Sequence, residues 1–190
     1  MMNRLNSLAL VAAALLVTAP AALAETTAAQ SPGAQSKADR TDTAFVKKAI
    51  EGNLAEVQMG QLAQQKGATQ PVRDFGVMLA KDHSDANQQA MALAQKVGVT
   101  APTAPNSEQK KMYDRLSKLS GAQFDREFAK AMVSDHKKDI SEYQKEAKSK
   151  NANVAQYAQA TLPHLDQHLK AAESLNQTAQ APDRSPRPSH

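Results

Sequence analysis

Four long stretches of strong helix-forming residues, separated by glycine and proline, constrain the fold of this chain more than any other feature. Ala, Gln, Lys, Leu, Met and Glu fill residues 41–177, and strand signals are nearly absent from the same range. Glycine or proline near the ends of the stretches supplies the stop signals expected at helix termini. The sequence therefore predicts an all-α protein.

The first two predicted helices have clear start and stop signals. The first begins near Thr41 or Asp42, because either side chain can cap a helix, and ends before Gly67. The second spans about residues 70–97, with Pro71 in its first turn, where the missing N–H is harmless. These two helices make up the first half of the predicted domain.

The second half contains a connector, a short helix and two further long helices. Two prolines in residues 97–107, "VGVTAPTAPNS", predict an extended connector, and a short helix follows near residues 107–119. Long helices are predicted over residues 122–149 and 153–177. Pro163 is expected to kink the last helix, because proline removes one internal hydrogen bond.

The connector decides the topology of the bundle. At 1.5 Å per residue the second and fourth helices are each roughly 40 Å long, and the connector with its short helix can reach about as far. The chain can therefore fold straight back or run along the bundle before the next long helix begins. We favour the single long crossover of ferritin-like four-helix bundles.

The first 24 residues carry the features of a secretory signal peptide. One basic residue, Arg4, precedes an apolar stretch over residues 8–17, and Ala22-Leu23-Ala24 forms a small-x-small cleavage signal. No later run approaches the roughly 20 apolar residues that span a bilayer. We therefore expect cleavage after Ala24 and a periplasmic protein without a transmembrane segment.

Two low-complexity arms flank the predicted bundle domain of residues 41–177. Residues 25–40 are rich in Ala, Ser, Thr and Gln, and residues 178–190 carry three prolines, so both are expected to be disordered. The chain contains no cysteine, which excludes disulfides and thiolate metal ligands. Its stability must therefore come from a packed core.

The charge of the chain gives no support for nucleic-acid binding. The formal net charge is +4, and loss of Arg4 with the signal peptide leaves +3. The sequence has no tryptophan and no cluster of aromatic residues on which bases could stack. We expect the lysines to form solvated helix faces and exclude nucleic acid as a partner.

A repeated Asp-His pair marks the second and third of the four long helices. Residues 75–89, "FGVMLAKDHSDANQQ", and residues 128–143, "FAKAMVSDHKKDISEY", place the pair at the same distance from a phenylalanine. At 100° per residue both histidines fall on the apolar face of their helix. In the first helix, Asn53 and Glu56 lie near the apolar face. In the last helix, His168 lies near the apolar face, with His164 further round.

This inward polar layer supports two hypotheses. The first is a transition-metal site, because imidazoles and carboxylates that face each other across a bundle are common metal ligands. Its predicted ligands are Glu56, His83, His136 and His168, and its supporting or alternative ligands are Asn53, Asp82, Asp135, Asp139 and His164. The second is a structural layer, in which hydrogen bonds to Asp139, Asn53, Glu56 or Tyr143 satisfy the histidines and fix the register of the helices.

Missing motifs limit the enzymatic alternatives. No Glu or Asp stands three residues before any histidine, so the Glu-x-x-His pair of di-iron carboxylate bundles is absent. Phosphate-binding glycine loops and His-Glu-x-x-His zinc signatures are absent as well. The sequence favours a binding or structural protein, and an enzyme with redox or peroxide chemistry in this layer is the third alternative.

Four segments of the chain resemble an exported bacterial family, domain of unknown function 4142, over residues 41–177. They are "FVKKAIEGNLAEVQMGQLAQQKG", "VRDFGVMLAKDHS", "FDREFAKAMVSDHKKDI" and "TLPHLDQHL". The resemblance implies a ferritin-like four-helix bundle, with Glu56, His83, His136 and His168 matching the recurrent polar positions of the family. It also implies export, to the periplasm or in association with the outer membrane, and no established activity.

The sequence thus predicts an exported helical bundle that binds a transition metal or a small ligand at mid-height. The alternative is a non-catalytic envelope stress or interaction protein, with flexible arms that tether or recruit. Its partner would be another envelope protein or a second copy of the chain.

Overall fold

The computed structural model describes residues 37–180, which form five α-helices and no strand. The helices are α1 (Lys37–Lys66), α2 (Gln70–Lys96), α3 (Ser107–Ser117), α4 (Gly121–Glu146) and α5 (Ala152–Gln180). The all-α prediction is confirmed. The predicted signal peptide, most of the first arm and nearly all of the proline-rich tail, including His190, lie outside the described residues.

The structure changes three of the predicted helix ends by three or more residues, and one of them is the end of α5, which runs to Gln180 and not to 177. Helix α1 begins at Lys37 and not at Thr41 or Asp42, so residues 37–40, which were expected to be disordered, are helical. Asp42 is buried and its Oδ1 accepts a hydrogen bond from Ser149 Oγ at 2.8 Å. Helix α4 ends at Glu146, three residues early, since residues 147–149 form a turn that brings this serine to Asp42.

The chain forms two helical hairpins. Helix α1 packs mainly against α2, and α4 mainly against α5. In the first hairpin the two backbones touch at Gly60 and Gly76, where a Cβ atom on Gly60 would lie 2.5 Å from the Gly76 carbonyl oxygen. Only glycine allows this close approach of the helices. Helix α5 is continuous through Pro163.

The connector between α2 and α4 passes from one end of the bundle to the other. Val97 and Val99 pack against an apolar cluster at one end, and Leu116 belongs to a cluster at the opposite end. Midway, Asn106 Nδ2 lies 3.4 Å from Glu51 Oε2 of α1 and can donate a hydrogen bond to it. Helices α2 and α4 therefore run in the same direction, as a long crossover requires.

Two apolar clusters fill the core, with a polar layer between them. The first apolar cluster contains Phe45, Ile50, Ala90, Leu93, Tyr143, Val154 and Leu165, among others. The second apolar cluster contains Met59, Leu62, Val72, Leu79, Phe124, Phe128, Met132 and Ala172, among others. Buried Asn53, Glu56, His83, His136 and His168 fall between members of the two clusters on their own helices. Each long helix thus contributes to one layer at mid-height.

Candidate metal centre

Three imidazoles from three helices meet inside this polar layer. His83 of α2, His136 of α4 and His168 of α5 are 4%, 0% and 1% exposed. Their ring centroids are 5.8 Å, 5.2 Å and 5.3 Å apart. One ring nitrogen from each lies within 4.8 Å of the other two, and no other group of this kind occurs among residues 37–180. We call these three residues the imidazole group.

One nitrogen of each ring faces an oxygen acceptor. The three pairs are His83 Nδ1 with Asn53 Oδ1 at 2.9 Å, His136 Nδ1 with the Met132 carbonyl oxygen at 3.0 Å, and His168 Nε2 with Asp82 Oδ2 at 3.1 Å. A carbonyl oxygen and a carboxylate accept hydrogen bonds only, so the proton of each neutral ring belongs on the nitrogen that faces them. These contacts therefore fix the tautomer and the orientation of all three rings.

The second nitrogen of each ring has no partner. His83 Nε2, His136 Nε2 and His168 Nδ1 are buried and accept no hydrogen bond. A buried polar atom without a partner costs about 1–3 kcal/mol, so three of them in one place are unusual in a folded protein. Each of these nitrogens carries the lone pair of its ring. The layer therefore holds three unused nitrogen donors.

Burial keeps the imidazoles neutral. It lowers the pKa of His136 to about 4, with help from His168. Burial and the neighbouring imidazoles also lower the pKa of His83 well below its ordinary value. Burial lowers the pKa of His168 too, although the hydrogen bond from its ring to Asp82 opposes that shift. Neutral imidazole is the form that binds a metal ion.

Glu56 lies in the layer but not in the imidazole group. Its side chain is 1% exposed and its Oε2 has no hydrogen-bond partner. Burial, followed by the effects of Asp135 and Asp139, raises its pKa well above the ordinary value. The residue of α1 that contacts an imidazole is Asn53, one helical turn earlier. The predicted role of Glu56 as a ligand is therefore not supported by its neighbours.

Asp135 and Asp139 lie near Glu56, on the side of the layer that faces α3. Burial, then Asp135 and Glu142, raise the pKa of Asp139 to about 8. Both aspartates line a cavity of about 300 Å³ beneath α3, together with Asn53, His83 and Tyr143. We call Glu56, Asp135 and Asp139 the carboxyl cluster. It borders the imidazole group without supplying it with a donor.

Asp82 and His164 lie at the outer edge of the layer, between α2 and α5. Asp82 Oδ2 contacts buried His168 and lies 3.9 Å from Nδ1 of His164, whose side chain is 60% exposed. Asp82 thus accepts a hydrogen bond from a histidine on another helix. His164 lies at the surface, further round α5 than buried His168, as helix periodicity predicts.

Two tyrosines extend the layer towards the first apolar cluster. Tyr143 was predicted as a possible partner of the histidines, and no role was predicted for Tyr157. Asn53 Nδ2 donates to the Tyr157 hydroxyl at 3.1 Å, and the Tyr143 and Tyr157 hydroxyls lie 3.3 Å apart. The amide of Asn53 is therefore oriented by Tyr157, which leaves its oxygen for His83. Tyr157 is 11 residues before His168, a spacing of three helical turns that was readable in the sequence.

Comparison with known proteins gives a family and a fold. The family model described as "Domain of unknown function (DUF4142)" matches residues 25–175. No curated protein matches the chain. A crystal structure of a DUF305 fragment from Deinococcus radiodurans is similar, with a TM-score of 0.64 and 14% sequence identity, over 73% of this chain and 96% of that one. At this identity the similarity shows the fold alone. None of the described helices is long and apolar enough to cross a membrane.

Proposed function

We propose that this chain, which belongs to the DUF4142 family, binds one transition-metal ion through His83, His136 and His168. The proposal assigns no metal bond to Glu56. Asn53, Asp82 and the Met132 carbonyl oxygen hold the three rings by accepting their N–H protons.

The observation that carries the proposal is that one nitrogen of each ring is hydrogen-bonded and the other is not. Histidines that bind metals almost always donate their second ring N–H to a carboxylate, a carbonyl oxygen or water. All three rings of the imidazole group follow this pattern, and the nitrogen left over in each is buried without a partner. A metal ion would give all three nitrogens a partner at once.

The donor set indicates which ions fit. Three neutral imidazoles suit Zn²⁺, Cu²⁺, Ni²⁺ or Fe²⁺, whereas Ca²⁺ and Mg²⁺ prefer oxygen ligands. With bonds of about 2.1 Å, tetrahedral ligand nitrogens stand about 3.4 Å apart. One nitrogen of each ring lies within 4.8 Å of one nitrogen of each other ring, so ring shifts on the order of 1 Å are needed to reach this spacing.

Elemental analysis after equilibrium dialysis against Zn²⁺ or Cu²⁺ tests the proposal. We expect about one equivalent of metal per chain and a rise in melting temperature, because the ion binds only the folded state. His168→Gln should abolish both effects. His164→Gln is the matched control, since it changes the same residue type one turn away on the surface of α5.

The proposal fails if the chain retains less than about a tenth of an equivalent of every ion and its melting temperature stays unchanged. It also fails if His164→Gln reduces the metal content as much as His168→Gln does.

We also propose that the bundle is ferritin-like and that the protein is periplasmic. The two hairpins and the connector that passes along the bundle support a ferritin-like arrangement. The signal peptide predicted from residues 1–24 supports a periplasmic location. Protein from an osmotic-shock fraction should begin at Glu25, and a chain that keeps Met1 or sediments with membranes would contradict this location.

A structural layer in an envelope interaction protein is the second candidate. It is favoured by the hydrogen bond that each imidazole already makes within the bundle, since these bonds fix helix register without a metal ion. Under this alternative, the His83→Leu variant keeps the cellular function of the protein. A chain that lacks residues 25–36 and 181–190 loses that function. The opposite pattern supports the metal site.

A further inference from the structure

A cavity between α2 and α5 leads from the surface to the imidazole group. Its volume is about 300 Å³, and its lining includes both His83 and His168. Lys81, Asp82 and His164 line it as well, with His164 and Lys81 largely exposed. His136 is not among the lining residues and is fully buried. The cavity therefore reaches two of the three imidazoles.

The imidazole group supplies three donors and no fourth. Among residues 37–180, no carboxylate lies close enough to join the three ring nitrogens. Structural zinc sites are closed by four protein ligands, whereas sites with three protein ligands keep one position for water or substrate. A metal ion held by this group would have an open position.

Charge balance selects the kind of molecule that fills this position. Three neutral imidazoles leave the full charge of a divalent ion in a buried layer, where uncompensated charge is strongly unfavourable. Asp82 hydrogen-bonds to the group directly, and its Oδ2 already accepts from His168 Nε2 at 3.1 Å. A small anion bound directly to the metal would compensate half of the charge.

We propose that the metal centre keeps an exchangeable fourth position, which a small anion of hydroxide or azide size reaches through the α2–α5 cavity. This inference rests on the proposed metal site and deepens it. Exchange of the ligand is a simple substitution: the incoming anion donates an electron pair to the metal, and the water it replaces leaves with its own.

The second cavity, beneath α3, is the less suitable route. Only His83 of the imidazole group lines it. The α2–α5 cavity is lined by His83 and by His168. An anion that enters between α2 and α5 therefore reaches two of the three imidazoles, whereas one that enters beneath α3 reaches one.

Azide binding to the Cu²⁺-loaded chain tests the inference, because azide bound to copper adds a charge-transfer absorption band. We expect a saturable band with one azide per copper. Ala86→Leu and Ala160→Leu fill the α2–α5 cavity from opposite walls and should slow azide association at least about tenfold, with copper content unchanged. Since Ala160 is exposed, its variant tests the route even if Ala86→Leu perturbs folding.

Two control variants locate the route. Ala92→Leu changes the same residue type on α2 outside this cavity and should leave the azide rate unchanged. Gly52→Leu fills the cavity beneath α3, where a Cβ would meet only Gln109 Nε2 at 3.9 Å, and should also leave the rate unchanged.

The outcomes separate the two claims. A chain that binds copper through its histidines but shows no azide band overturns the open position and leaves the metal site intact. A rate that falls with Gly52→Leu and not with Ala160→Leu overturns the α2–α5 route. Failure to bind copper at all overturns the metal site itself.

Discussion

The imidazole group and the carboxyl cluster occupy the same polar layer, yet burial acts on them in opposite directions. It lowers the pKa of His83, His136 and His168 and raises that of Glu56 and Asp139. Both shifts remove charge, because a charged group loses its hydration in the interior. A neutral imidazole is left with a free lone pair, whereas a neutral carboxyl group keeps a proton. Burial therefore leaves the three imidazoles able to bind a metal ion and makes Glu56 and Asp139 poorer metal ligands.

The largest expected effect comes from removing one member of the imidazole group. His136→Leu should weaken Zn²⁺ or Cu²⁺ binding by about a thousandfold, because two imidazoles cannot hold the ion alone. The metal-free fold should survive, since the replaced ring carries a buried nitrogen without a partner. Competition with a chelator of known affinity measures the first effect, and chemical denaturation measures the second. Unchanged metal affinity would show that His136, like the carboxyl cluster, supplies no metal ligand.

A smaller effect is expected from the carboxylate that orients His168. Asp82→Asn keeps an oxygen acceptor for His168 Nε2 but removes the negative charge. Loss of such an orienting partner typically lowers metal affinity by about 10-fold to 100-fold. The same competition assay measures it, with Asp85→Asn as the control on the exposed side of α2. Equal losses in both variants would attribute the effect to general surface charge.

The pH dependence of stability separates the two groups in the metal-free protein. Folded Asp139, with its pKa raised from 3.8 to about 8, binds more protons than the unfolded chain, so stability falls as pH rises through that range. Folded His136, with its pKa lowered from 6.5 to about 4, binds fewer protons, so stability falls as pH drops through that range. The two slopes oppose each other below pH 6.5, and only the carboxyl slope remains above it.

The free energy of unfolding should therefore decline by about 2 kcal/mol from pH 6.5 to 8, at about 1.4 kcal/mol per pH unit for one proton. Glu56 acts in the same direction as Asp139. Denaturation with chelator present measures the decline, and Asp139→Asn should reduce it. A decline that persists unchanged in Asp139→Asn would show that Asp139 does not cause the pH dependence.

The smallest effect is expected at Glu56. Burial raises its pKa and so favours the protonated form, and protonated glutamate and glutamine have nearly the same shape. Glu56→Gln should therefore change metal affinity by less than about threefold, because no metal bond is lost. Isothermal titration with Zn²⁺ checks this. A drop as large as that of His136→Leu would make Glu56 a ligand and erase the contrast between the two groups.

Helix periodicity predicted which polar residues face inward but not which of them meet. The 100° spacing correctly placed Asn53, Glu56, His83 and His136 inside the bundle. Asn53 and Glu56 are one turn apart on α1, and a shift of helix height by that distance decides which of them reaches His83. Such shifts depend on side-chain packing, including the Gly60 contact between α1 and α2, and sequence spacing does not contain them.

Local signals predicted helix ends well where they had no competing role. Gln70 begins α2 as expected, and Asn106 caps α3 through hydrogen bonds to the backbone N–H groups of Glu108 and Gln109. Asp42 also resembles a cap, but its carboxylate contacts Ser149 across the bundle. The acceptor for His136 is the Met132 carbonyl oxygen, which every residue type possesses. No side-chain pattern could have identified it.

X-ray absorption spectroscopy of the Zn²⁺-loaded chain tests the central claim most directly, because it counts the imidazole ligands of the bound ion. The account predicts three imidazole nitrogens at about 2.0–2.1 Å, with one further light ligand, and loss of one imidazole in any zinc that His136→Leu still binds. A shell of oxygen ligands alone, or an imidazole count that stays the same in that variant, would contradict it.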